Sequence, residues 1–124
     1  MVVLPDEIVY TLYMRKKKTV ELYTKVIDDN VKLPDKQGNG ILKYSVSVNK
    51  KGKLMRYSLA YINFNLCTKD NGRVIGYDNC HGHHHMHYMG KEKPIEFTSF
   101  EDIHDQFENE WRRLHDQIKS KKNH

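Results

Sequence analysis

Within residues 41–49 apolar and polar positions alternate from Leu42 onward. Leu42, Tyr44, Val46 and Val48 fall on one side of an extended chain and Lys43, Ser45, Ser47 and Asn49 on the other, the period-two pattern of a half-buried strand. Residues 54–64 continue it, with Met55, Tyr57, Leu59, Tyr61 and Asn63 opposed to Arg56, Ser58, Ala60 and Ile62. This second run is less amphipathic, which suits a central strand. Upstream, residues 8–14 and 19–27 are rich in strand formers such as Val9, Tyr13, Val20, Leu22 and Val26. They predict a hairpin closed by the basic turn Arg15-Lys16-Lys17-Lys18. Between them and the alternating run, Asp28-Asp29-Asn30, Pro34-Asp35 and Gly38-Asn39-Gly40 are turn formers, so residues 28–40 are expected to be a loop. Lys69-Asp70-Asn71-Gly72 predicts a tight turn into a strand at 73–77. Residues 91–94 are expected to end the β pattern.

The period then changes. Phe100, Ile103, Phe107, Trp111, Leu114 and Ile118 recur at spacings of three and four, one apolar stripe on a helix over residues 98–119. Thr98 followed three residues later by Glu101 predicts a capping box, with Glu101 and Asp102 facing the positive end of the helix dipole. His104 and His115 flank the stripe and are expected on the helix surface. The sum is an α+β fold in which an antiparallel sheet of about five to six strands carries a long C-terminal helix on one face.

At 124 residues the chain fits a single domain, 1–124. No apolar run approaches the roughly 20 residues of a membrane span, and the first residues have no basic, then apolar, leader pattern. A cytoplasmic protein without membrane contact is expected. Cys67 and Cys80 form no CxxC pair and are expected to be ordinary free thiols. A net charge of +5 leans towards a polyanionic partner, with basic clusters also at Lys50-Lys51-Gly52-Lys53 and near the C-terminus.

Five of the eight histidines fall in residues 76–90, a density that core packing does not require. Histidine exchanges protons near neutral pH and is also the commonest metal ligand, so the cluster suits either chemistry. In an extended chain His81, His83, His85 and His87 share one face and Gly82, His84 and Met86 the other. Same-face neighbours would then stand about 6.5–7 Å apart, close enough for two imidazoles to converge on one phosphate or one ion. Cys80 beside His81 does not make a nucleophile and base, because adjacent strand residues point to opposite faces.

Several blocks occur together in one order: Arg56-Tyr57-Ser58-Leu59-Ala60-Tyr61, Gly76-Tyr77-Asp78-Asn79, His81-Gly82, His85-Met86-His87, and Gly90-Lys91-Glu92-Lys93-Pro94 ahead of the helix. In these the chain resembles the TumE family, the toxin partners of helix-turn-helix antitoxins in toxin–antitoxin modules; the resemblance covers residues 41–108. It implies a toxin whose partner is a helix-turn-helix antitoxin encoded nearby.

Three function classes follow. A ribonuclease toxin would use His85 and His87 as acid and base, with Asp78 orienting an imidazole and Arg56 or Lys91 on the phosphate. Tyr77 would stack on a base or bond the phosphate, and no cofactor would be required. A metal protein would hold zinc or another divalent ion on His83, His85 and His87. A non-enzymatic toxin or interaction protein would act by binding alone.

Overall fold

A computed structural model describes residues 23–34 and 39–122, with side chains up to residue 118. Six strands follow in chain order: β1 (Thr24–Lys32), β2 (Ile41–Val48), β3 (Leu54–Ile62), β4 (Arg73–Asp78), β5 (His85–Tyr88) and β6 (Lys91–Pro94). The helix α1 (Phe100–Lys122) closes the described chain. All neighbouring strands are antiparallel, and their order in the sheet is their order in the chain. This is the expected α+β arrangement. The strand predicted at 8–14 and the basic turn at 15–18 lie outside the described residues.

Two segments read as irregular are strands. Residues 28–32 do not turn but extend β1, pairing Asp28 with Ser45 and Lys32 with Ile41. Asp and Asn are tolerated because the strand is exposed along its whole length, so its polar side chains stay in water. Residues 91–94 form β6 because Met89 (φ 51°) and Gly90 (φ 84°) make a two-residue turn with both φ values positive, the geometry that matches the twist of a hairpin. Pro94 is accommodated because its lacking N–H costs little on an edge strand. The β2–β3 turn is closed by Asn49, whose Oδ1 accepts from the Lys51 and Lys53 amides.

The sheet has two unlike faces. One carries Leu42, Tyr44 and Val46 of β2, Tyr57, Leu59 and Tyr61 of β3, and Ile75 and Tyr77 of β4, placed side by side by the strand register. Helix α1 covers this face. Ile103, Phe107, Leu114 and Ile118 of the predicted stripe are buried, and Phe100 and Trp111 pack at its margin. Phe107 is fully buried and meets Tyr44 and Tyr77 edge-on, the preferred geometry for aromatic pairs. The tyrosine hydroxyls are tied to the helix: Tyr44 donates to Glu108 (2.7 Å) and Tyr77 to Glu110 (3.0 Å). Tyr61 pairs with His115 Nδ1 at 2.8 Å. His115 is therefore a core residue, 3% exposed, and not on the surface as its place beside the stripe suggests. His104 does lie at the surface, within 3.4 Å of Glu108.

The helix cap is displaced by one residue from the predicted box. Ser99 Oγ accepts from the Asp102 amide (3.1 Å), and the Thr98 hydroxyl donates to the Asp102 carboxylate (2.6 Å). Ser99 thus satisfies one of the first free helical N–H groups.

Candidate active site on the open sheet face

Three consecutive residues at the end of β4 have three different jobs. Tyr77 points to the helix and is 1% exposed. Asp78 points to the other face, which none of the described elements covers. Asn79 then ends the ladder by imitating it: Oδ1 accepts from the Tyr57 amide (3.0 Å) and Nδ2 donates to the Met55 carbonyl (2.9 Å). With its side chain holding β3, the backbone is free to turn through Cys80–Gly82, where His81 has φ 62° and Gly82 φ 76°. This left-handed turn breaks the predicted alternation at His81, which is exposed. From His83 onward the chain is extended again, and Asp78 faces His85 across the β4–β5 register while Gly76 faces His87.

Asp78 is the centre of the resulting cluster. Its Oδ2 lies 2.7 Å from His87 Nε2, and its Oδ1 accepts from the Cys80 amide at 3.0 Å. His85 stands between two carboxylates, with Nδ1 3.8 Å from Asp78 and Nε2 3.1 Å from Glu92. The His85 and His87 ring centres are 6.2 Å apart, and His83 is 5.9 Å from His85. Asp78, His85 and His87 are all mostly shielded from solvent, with side chains 11%, 16% and 12% exposed.

Arg73 completes the cluster from an unexpected direction. The β3–β4 register runs from Tyr61↔Ile75 to Ile62↔Arg73 and skips Val74. This bulge turns Arg73 onto the open face, as bulges re-aim side chains. Its guanidinium bonds Asp70 (2.7 Å) and approaches Asp78 (3.6 Å). It can lie there because residue 76 is glycine: a Cβ at that position would come 2.8 Å from Arg73 Cδ and 3.0 Å from the Leu59 carbonyl oxygen.

Asp78 also lines an open groove of about 460 Å³, together with Arg56, Ser58, Ser45 and Ser47. The structure thus brings together Asp78, His85, His87 and, across the groove, Arg56. It does not bring Tyr77 or Lys91 to them. Tyr77 is enclosed beneath the helix, where burial and then the Glu110 charge raise its phenol pKa, so it cannot stack on a ligand at the open face. Lys91 pairs with Tyr88 and so projects to the side opposite His87. His84 likewise turns to the covered face, stacking on Phe97 at 4.2 Å with Nδ1 2.8 Å from the Tyr57 hydroxyl. Burial, and then the charge of His85, lower the His84 pKa. His83, His85 and His87 share a side, but among the described residues no group of three or more His, Cys, Asp or Glu is placed to hold a metal ion. The near nitrogen of His87 is directed at Asp78 and that of His85 at Glu92.

The model of one family, described as toxin TumE, matches residues 11–116. The chain belongs to the TumE family. The match spans all six strands and α1 up to residue 116, so the Asp78 cluster and the groove belong to the TumE domain itself. Membership of this toxin family brings with it an antitoxin as partner. Comparison with curated proteins and with solved structures finds no match. Among the described residues, no helix of this TumE domain is long and apolar enough to cross a membrane.

Arg73 and Glu92 are the members of the TumE cluster that sequence reasoning passes over. Glu92 is visible once 91–94 is recognised as a strand, since it then faces His87. Arg73 carries no such signal, because strict alternation places it with Ile75 and Tyr77.

Proposed function

We propose that this TumE-family toxin is an endoribonuclease whose acid and base are His85 and His87. The observation that carries the reading is the 2.7 Å Asp78–His87 contact beside a second imidazole 6.2 Å away, on the face the helix leaves uncovered. Asp78 accepts only, so it holds His87 with the proton on Nε2 and leaves Nδ1 as the basic nitrogen. His87 takes the proton from a ribose 2′-hydroxyl, and the 2′-oxygen attacks the adjacent phosphorus. The bond to the 5′-oxygen breaks, and that oxygen takes a proton from His85. The products are a 2′,3′-cyclic phosphate and a 5′-hydroxyl. Cationic Arg56 and Arg73 offset the charge that develops on the phosphate oxygens. Asp78 acts by holding His87 rather than by touching substrate.

The reaction needs no metal in this reading. Purified wild-type protein is expected to cleave RNA in the presence of a chelator and to leave cyclic-phosphate ends. His85→Ala and His87→Ala should each slow cleavage roughly 10²-fold or more, the loss typical of a positioned general acid or base. Wild-type rates in both variants, or dependence on an added metal, would overturn the assignment. The antitoxin is proposed to be a helix-turn-helix protein encoded beside the toxin gene. Co-expression of that neighbour should yield a stable complex and abolish toxicity, and failure to co-purify would remove it as the partner.

A further inference from the structure

The open face is not uniformly polar; it is hollow. The register sets Ser45 beside Ser58, Ser58 beside Asp78 and Asp78 beside His85, one continuous row across four strands. The adjoining row sets Lys25 beside Ser47 and Ser47 beside Arg56. Short side chains therefore form a floor between Lys25 and Arg56 at one end and the Asp78–His85 end at the other. Neighbouring strands lie about 4.8 Å apart, so the floor runs up to the histidines within a few strand spacings.

We infer that this groove seats one unpaired nucleotide of an RNA strand next to the bond that is cut. The inference rests on the ribonuclease reading. Its volume of about 460 Å³ suits a single nucleotide and not the two paired strands of a helix. Its chemistry matches the three parts of a nucleotide. Arg56 and Lys25 supply positive charge for a phosphate, and Lys25 pairs with Asp28 at an exposed 3.7 Å that solvent or a ligand readily replaces. The serine hydroxyls donate and accept, as ribose hydroxyls require. Tyr23, at the rim and 42% exposed, offers a ring on which an unpaired base can stack. The carboxylate in the groove, Asp78, is already faced by His87 and Arg73, so it does not repel a phosphate as an isolated charge would. Asn79 also lines the groove, but both ends of its amide are committed to β3. Base-paired RNA keeps its bases stacked inside the helix and cannot place one here.

The test uses the full-length chain with His87→Ala, which keeps a bound strand intact, and a labelled single-stranded RNA oligomer or the same sequence as a duplex. The single strand should bind more tightly than the duplex. Adding Arg56→Ala, Tyr23→Ala or Ser58→Leu should each weaken single-strand binding about tenfold, in the range of one lost stacking or phosphate contact. Lys93→Ala, a basic residue paired with Met86 on the other face, should leave it unchanged. Cys80 gives a second readout that needs no further mutation, since it is an exposed free thiol at the groove while Cys67 is buried. Saturating single strand should slow its alkylation, and duplex should not. Equal affinity for duplex, wild-type affinity in all three groove variants, or unchanged Cys80 alkylation under saturating strand would each overturn the inference. If wild-type protein binds the strand with Cys80 protected but leaves it uncut, the groove stands and the ribonuclease reading falls. If cleavage depends on His85 and His87 while the groove variants bind normally, the ribonuclease reading stands and the groove falls.

Discussion

The two faces of the sheet are built from alternate residues of the same strands, yet they treat their polar groups in opposite ways. On the covered face three tyrosine hydroxyls are tied to the helix, Tyr44 to Glu108, Tyr77 to Glu110 and Tyr61 to His115, and Asn63 also donates to Tyr61. Burial raises the pKa of all three phenols, so they stay neutral and serve as hydrogen-bonded spacers between sheet and helix. On the open face several groups share one carboxylate. His87, His85, Arg73 and the Cys80 amide all approach Asp78, which leaves ring nitrogens and guanidinium N–H groups for something else. Polar groups that are paired off stabilise a fold; polar groups that converge and remain within reach of solvent can do chemistry.

The largest effect that would separate the faces comes from the covered one. Phe107→Ala empties the fully buried centre between Tyr44 and Tyr77 and should destabilise the protein by about 3–5 kcal/mol. Denaturant unfolding would register it, and activity should vanish only because the fold does. His87→Ala should do the reverse, abolishing most cleavage with a melting temperature near that of wild type. A large loss of stability in His87→Ala would mean that the open-face cluster is structural too, and the contrast would collapse.

A smaller effect should follow from the seat of Arg73. Gly76→Ala puts a methyl group against Arg73 Cδ and the Leu59 carbonyl, so the guanidinium must leave its place over β4. Cleavage should fall about tenfold through looser alignment of Asp78 and His87. Arg73→Ala should do the same, and the double variant should be no worse than either alone, because both remove one arrangement. Additive losses would show that the glycine and the arginine act separately. Arg73→Lys should restore little, since a point charge cannot bond Asp70 and approach Asp78 as the planar fork does.

How much of this was legible varied with the local rule. Period-two alternation, strict in 42–48 and weaker in 54–62, gave both strands and their faces, and the 3.6-residue stripe gave the helix. The same logic placed His85 and His87 together. It failed wherever the backbone departs from regular geometry. The Val74 bulge hid Arg73, the left-handed turn at His81 removed that histidine from the row, and the Met89-Gly90 turn hid β6 and with it Glu92. Tyr77 and His115 were misjudged for a different reason. Tyrosine and histidine are amphipathic, and only the partner across the layer, Glu110 or Tyr61, decides whether the polar tip is buried.

The smallest expected effect concerns His84, the histidine of the cluster that the covered face has claimed. It stacks on Phe97 and shares a hydrogen bond with Tyr57, whose own pKa is pushed up to about 12 by burial and the Asp78 charge. Burial, and then the charge of His85, hold the His84 pKa below its ordinary value of 6.5. Between that lowered pKa and 6.5 the unfolded chain binds a proton that the folded chain refuses. The stability contributed by neutral His84 is therefore complete above pH 6.5 and declines as the pH falls through that window. Tyr57 does not titrate there, so it adds nothing to the slope. Melting temperatures measured from pH 7.5 down to about 5 should drop less steeply in His84→Gln than in wild type. Equal slopes for wild type and His84→Gln would show that His84 accepts its proton in the folded state as readily as in the unfolded one, and the Tyr57–Phe97 contact would then carry no pH dependence.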